Sequence, residues 1–298
     1  MIGRLAIALA AVTLAAATAP PHRLMQWPDL LSRPLPQATT RIAYGPDPAQ
    51  FAELWLPAGA GPHPVVVMIH GGCWRYRVAK LTIMNYIADD LRRRGVAVWN
   101  IEYRGADQPG GGYPGTFLDV AAAADALRAA AVANHLSLKR VVVVGHSAGG
   151  HLGAWLAARP RMPAASPLAA VHPLPIAAVV SLGGLPDLKA DQAAGDTAAC
   201  GAAVIDALTG PVTDAHRDVF ADTSPAERLP LGVRQVVVNG DQDPIAPPSL
   251  GRAYADRVRA ARDPVTLTVL PNTGHVELIS PGSAAWSRAA ALIVRLTR

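Results

Sequence analysis

Cysteine is almost absent from this chain: Cys73 and Cys200 are the only two in 298 residues. That excludes a disulfide-rich scaffold, and no Cys-x-x-Cys or His-Glu-x-x-His pattern offers a metal site. In an oxidising compartment the two thiols can pair, tying a loop to a distant insertion; they can equally stay free. Lysine is nearly missing too, with only Lys80, Lys139 and Lys189. The net charge of +5 comes from arginines scattered singly, and no basic run is interleaved with aromatics, so nucleic acid is not an expected partner. The one cluster, Arg92-Arg93-Arg94, falls where a helix ends and complements its dipole. Internal repeats, low-complexity linkers and a long membrane-spanning run are also lacking. The apolar stretch from Leu5 to about Ala17 is short, follows the single cation Arg4, and ends among small residues, Ala15, Ala17 and Ala19, suited to cleavage. It reads as a signal peptide over residues 1–19, with an uncleaved anchor as the alternative. The chain is thus expected to be exported, to a bacterial periplasm or beyond.

What is present is a hydrophobic fraction of 51%, ample for one large core. Residues 20–39, rich in proline, read as an extended lead-in. Residues 40–298 read as one α/β domain. Thr40–Tyr44 and Phe51–Leu56 are expected to be strands, the second alternating as at a sheet edge. Val65–Ile69, Val96–Tyr103, the Val141 run, Ile176–Leu182, Gln235–Val238 and Val265–Leu270 follow, separated by helices. That order implies right-handed crossovers and a mostly parallel sheet with helices on both faces. Residues 183–222 lack a strand pattern and read as a small lid-like insertion containing a short helix. Ser224, Pro225 and Glu227 resemble a helix start with a capping box.

The chemistry centres on Val141-Val142-Val143-Val144-Gly145-His146-Ser147-Ala148-Gly149. A fully buried strand runs into G-x-S-x-G and then into a helix, which is the context of a nucleophile elbow. A serine hydroxyl needs a base within reach, and the base needs an acid to fix its tautomer. His275, after the last strand, is the expected base. His146 is expected to point away from Ser147, His151 to pack or cap, and His70 to orient a loop. Asp243, after the Gln235–Val238 strand, is the expected acid, ahead of Asp241 and Asp187; Glu277 reads as a surface or supporting residue. Oxyanion donors are expected from Gly72 and Cys73, in His70-Gly71-Gly72-Cys73-Trp74, and from Ala148 at the helix start.

These motifs, with Gly240-Asp241-Gln242-Asp243 and Gly274-His275, resemble the α/β-hydrolase fold. Within it they look closest to the esterase/lipase-like branch with an HGG oxyanion loop, near the bacterial feruloyl-esterase-like group and its kynurenine formamidase-like relatives. The resemblance implies a serine esterase that cleaves small or aromatic carboxylic esters through an acyl-enzyme, without metal or organic cofactor. Trp74, Tyr76, Tyr113 and the insertion are expected to line its pocket. An amidase or formamidase would use the same residues. An exopeptidase would need acids to bind an amine, for which Glu102, Asp107 and Asp187 are the candidates. A non-catalytic binding protein would be expected to lack a triad position, and none is missing.

Overall fold

In the computed structural model, residues 23–194 and 200–298 are described; the expected signal peptide lies outside them. The valine-rich segments do what β-branched, apolar runs favour. They form the interior of one eight-stranded sheet with the order β1-β2-β4-β3-β5-β6-β7-β8. The strands are β1 (Thr40–Ala43), β2 (Phe51–Trp55), β3 (His63–Ile69), β4 (Ala97–Ile101), β5 (Leu136–His146), β6 (Ala178–Leu182), β7 (Arg234–Gly240) and β8 (Val265–Leu270). β1 pairs antiparallel with β2, and β2 with β4; every later pairing is parallel. The edge is therefore β1, and β2 lies one place inside it, almost fully buried rather than half exposed.

Period-two alternation sorts the strand side chains onto two faces. Val65, Val67, Ile69, Val141 and Val143 pack with Phe117, Leu152 and Trp155. These come from α3 (Gly115–Ala133) and α4 (Ala148–Ala158). Val66, Met68, Val142 and Val144 face the other way, onto Ile87, Leu91, Trp286 and Ile293. Those belong to α2 (Asn85–Arg93) and α8 (Ala284–Thr297). Val141 to Val144 are at most 1% exposed, and burying each contributes about 1.5–3 kcal/mol. The connection between β7 and β8 is α7 (Pro248–Ala260), whose Tyr254 and Val258 cover Val237.

The chain leaves β3 toward β4 on one side and reaches β5 on the other. Connections that diverge in this way open a crevice at the strand C-terminal ends. It receives the His70-Gly71-Gly72 loop from β3 and the Ser147 turn from β5.

Three segments depart from the sequence reading. The lead-in is not extended throughout: Trp27–Leu31 forms a helical turn, α1, and Leu30 is fully buried. The Ser224 capping box does not form. Pro225–Arg228 makes only one 3-10 turn, the Ser224 hydroxyl has no partner among the described residues, and Glu227 pairs with Arg257 at 3.0 Å. Pro230 follows and has no N–H with which to continue a helix. The insertion contains two helices, α5 (Leu188–Ala193) and α6 (Ala202–Thr209), and sends Leu188, Ile205 and Leu208 into the core.

The two cysteines are joined across a sequence separation of 127. The bond ties the loop after β3 to the base of α6. Closing a loop of that length restricts the unfolded chain, and loss of such a cross-link costs about 2–5 kcal/mol. Cys200→Ser is therefore expected to lower the denaturant midpoint, and any fall in activity per folded molecule reads how far the bond holds the loop that carries Cys73. Unfolding curves of the oxidised wild type and the variant, with active-site titration, check this.

Candidate active site

The turn after β5 places Ser147 at φ +53° and ψ −124°, in the left-handed region that a residue with a Cβ rarely adopts. Such a conformation costs about 1–3 kcal/mol and persists only where its surroundings enforce it. They do so here. The Ser147 N–H donates to the Leu182 carbonyl at 2.9 Å, and its carbonyl accepts from Gly150 at 2.8 Å. A Cβ on Gly145 would lie 2.0 Å from the Gly149 carbonyl oxygen, and one on Gly149 would lie 2.1 Å from that of Ile69. Only glycines allow strand, turn and helix to approach so closely. α4 starts directly at Ala148, so the N–H of Ala148 has no partner within the helix.

His275 leaves β8 and brings its ring to the same crevice. Its Nδ1–H donates to Asp243 Oδ2 at 2.7 Å, both side chains being buried. The other Asp243 oxygen accepts the Ile245 and Ala246 N–H groups at 2.8 and 2.9 Å. The carboxylate is thus fixed from its own loop and turned toward the ring, which leaves Nε2 of His275 for a proton from elsewhere. Ser147, His275, Gly72 and Cys73 all line one cavity of about 340 Å³. Asp241 instead accepts the Thr273 N–H, and Asp187 caps α5 and pairs with Arg257 at 2.6 Å.

The loop after β3 is held against the elbow. A Cβ on Gly71 would sit 2.8 Å from that of Ser147. Gly72, Cys73 and Trp74 all have positive φ, at 105°, 50° and 53°. Several contacts enforce this turn: Arg75 N–H to the Gly72 carbonyl, Ala106 N–H to the Trp74 carbonyl, and the disulfide at Cys73. His70 has both ring nitrogens facing oxygens, Gly71 O at 2.7 Å and Glu102 Oε1 at 2.8 Å, and stacks on Tyr103. It orients the loop, as its place at the strand end implies.

The expected aromatic lining is not where the sequence reading put it. Trp74 is fully buried, and its indole N–H donates to His151 Nδ1 at 3.1 Å; it faces a neighbouring cavity. Tyr76 lies under Lys80 Nζ, 4.5 Å from the ring centroid, outside the lining of the Ser147 cavity. Tyr113 is turned away by its hydrogen bond to Asp222 at 3.0 Å and its stacking on His216. The apolar wall comes instead from Trp27, Leu31, Val78, Ala79 and Ile83.

Three supporting residues, Trp27, His146 and Gly183, were misread or missed. Trp27 packs edge-on against both His146 and His275, at 6.2 and 6.3 Å between centroids. His146 does not point away: its ring lines the cavity 4.3 Å from that of His275 and bonds the His275 carbonyl at 3.2 Å. Burial and the neighbouring His275 hold its pKa well below the ordinary histidine range, so Nε2–H is the donor of a neutral ring. Glu277 takes the supporting of its two expected roles: it is buried and accepts N–H groups from Gly274 and Met25, tying the start of α1 to the loop that carries His275. Gly183, at φ +54°, lies beneath the pair: a Cβ there would be 3.1 Å from both Asp243 Oδ2 and His275 Nδ1. A glycine at the exit of an apolar strand was the available signal.

His151 packs, as expected, between two structures. Its Nδ1 accepts from Trp74, and its Nε2–H donates to the Thr223 carbonyl at 2.8 Å. Only the neutral ring satisfies both, and burial lowers its pKa to about 4. An unfolded histidine titrates near about 6.5. Between these values the unfolded chain binds more protons, so the stability present above pH 6.5 is lost as the pH falls toward 4, by about 3 kcal/mol. His151→Gln keeps an acceptor and a donor but removes the titration. Relative to wild type the variant is expected to gain about 3 kcal/mol between pH 7.5 and 4. Urea unfolding of both proteins at the two pH values measures it.

Residues 53–257 match the BD-FAE family. The chain is 29% identical over 243 residues to esterase LipC of Mycobacterium tuberculosis, covering 79% of this chain. It spans 59% of that relative's length. Among solved structures, inhibited esterase B from Lactobacillus rhamnosis superposes with a TM-score of 0.74 at 20% identity, over 90% of this chain and 89% of that one. A bacterial heroin esterase superposes with a TM-score of 0.65 at 24% identity, over 87% and 80%. The fold is that of the α/β-hydrolases, and the chain belongs to the BD-FAE family.

Proposed function

We propose that the chain is a serine hydrolase of small carboxylic esters. The observation that carries this reading is one cavity lined by a strained, elbow-borne Ser147 and by His275, whose Nδ1–H is committed to Asp243. The names of LipC, esterase B and the heroin esterase agree with it.

In this reading Nε2 of His275 takes the Ser147 proton as Oγ attacks the ester carbonyl. Asp243 stabilises the imidazolium that forms and remains ionised. The developing oxyanion is received by the N–H groups of Ala148, Gly72 and Cys73, donors fixed before the substrate arrives. His275 then protonates the leaving alcohol. Water enters by the same route, its proton passing to His275, and releases the acid with Ser147 restored. We further propose that residues 1–19 act as a signal peptide and that the protein works in an oxidising compartment, which the Cys73–Cys200 bond favours.

The test is a panel of short-chain, long-chain and aromatic esters with a matched N-formyl amide. Ester turnover at least tenfold above that of the amide is expected. Preference for the amide would move the assignment to an amidase, and no turnover of any member would remove it.

A further inference from the structure

Beside the Ser147 cavity lies a second one, of about 220 Å³, lined by Trp74, Leu185, Asp191, Cys200, Ile205 and Ile245 among others. Ile245 belongs to both linings. The Cys73–Cys200 bond lies between them, since Cys73 lines the first and Cys200 the second. Together the two volumes fall in the range of small-molecule sites, about 300–1,000 Å³.

The second cavity is largely apolar; the polar side chains in its lining are Ser249, the Trp74 indole, whose N–H is spent on His151, and one acid. Asp191, in α5, is 4% exposed, and its Oδ2 has no hydrogen-bond partner among the described residues. The other acids that an amine might meet are committed. Glu102 holds His70 and the Leu81 N–H, Asp107 accepts the Tyr76 and Arg77 N–H groups, and Asp187 pairs with Arg257. No cation is found among the described residues that line the cavity. A buried acid without a partner is costly, and the cost disappears when a ligand supplies the missing donor.

We infer that this second cavity is a substrate subsite in which Asp191 receives a protonated amine carried by the ester. The inference rests on the hydrolase reading above. It follows from a buried acid, one oxygen unpaired, in a largely apolar chamber that shares Ile245 in its lining with the cavity of Ser147. Burial, reinforced by Asp187, pushes the Asp191 carboxyl up to about 7. An ammonium beside it would draw it back to the ionised form and convert an isolated acid into an ion pair. A hydroxyl would supply a hydrogen bond without the charge, and a methyl group would supply neither.

The test compares esters alike except at the far end, in an acyl and in an alcohol series. The acyl set is ethyl 6-aminohexanoate, ethyl 6-hydroxyhexanoate and ethyl heptanoate; the alcohol set is the acetates of 6-aminohexanol, 1,6-hexanediol (monoester) and heptanol. In at least one series the wild type is expected to favour the amine over the methyl end by about ten- to a hundredfold in kcat/KM. In Asp191→Asn and Asp191→Leu that ratio is expected to fall to about one or below. The same pairs are titrated by calorimetry into the Ser147→Ala protein, which reads binding without turnover. Binding that prefers the amine but no turnover tells against the hydrolase reading alone. Turnover with no preference for the amine in either series overturns the subsite, as does a preference that both Asp191 variants retain. A preference for the hydroxyl over the amine overturns it as well.

Discussion

Ser147→Ala is expected to lower kcat for any ester that the protein turns over by about 10⁴-fold or more, with KM little changed and the fold intact. The reason is chemical rather than structural. The hydroxyl is the only atom removed that would form the acyl bond, and the turn that carries it is enforced by backbone contacts. Those are the Ser147 N–H to Leu182 and the close passage of Gly145 and Gly149, none of which involves Oγ. Circular dichroism and the denaturant midpoint should therefore match the wild type. A variant that kept a tenth of the wild-type rate would mean that the nucleophile lies elsewhere.

The second large effect is expected from Asp243→Asn, at about 10³–10⁴-fold in kcat. Here the hydrogen bonds decide the outcome. Oδ1 accepts two N–H groups, from Ile245 and Ala246, and Oδ2 accepts one from His275. An asparagine has a single oxygen, and two backbone donors hold it more strongly than one ring donor. Its amide NH₂ then faces Nδ1 and asks that nitrogen to accept. The ring answers by carrying its proton on Nε2, the nitrogen that should receive a proton from Ser147. The opposite orientation would press NH₂ against two N–H donors and cost the loop its fixing. Either way the base is lost while the volume is conserved. A full kinetic comparison with a matched unfolding curve separates this from a simple loss of stability.

How legible this site was depends on which kind of physics each residue obeys. The elbow, the strand that feeds it and the residues after β7 and β8 obey local rules: four valines in succession, glycines where chain segments meet, polar turns at strand ends. They could be read from neighbours in sequence. Trp27 could not. It lies in a proline-rich lead-in whose composition suggests extension, and it reaches His275 only because Glu277 accepts the Met25 N–H from 252 residues away. Tyr113 was misjudged for the opposite reason. Its glycine-rich loop does leave a strand end, but the Asp222 carboxylate and the His216 ring capture the phenol. His146, in the elbow, was expected to turn from Ser147, yet it is the last residue of β5 and its ring lies 4.3 Å from that of His275. Asp191 sits in a six-residue helix too short to show periodicity, so nothing local marks it as buried.

The strained backbone gives a further reason to locate function at the crevice. Ser147, Cys73 and Trp74, three of the six non-glycine residues with positive φ among the described residues, lie on the two loops that leave the C-terminal ends of the paired strands β3 and β5. Strain of this kind is sustained by packing elsewhere in the molecule. In this chain the supports can be named: the disulfide, the Trp74–His151–Thr223 relay, and the hydrogen bond from the Ser147 N–H to the Leu182 carbonyl.

The most direct measurement is covalent labelling with a fluorophosphonate, followed by mass mapping of the modified peptide. A reagent of this class reacts with a serine only where a base removes its proton and donors hold the phosphoryl oxygen. The account predicts one adduct per molecule, on Ser147, lost in Asp243→Asn and absent after unfolding. A folded protein that left Ser147 unmodified, or that carried the adduct on another residue, would contradict it.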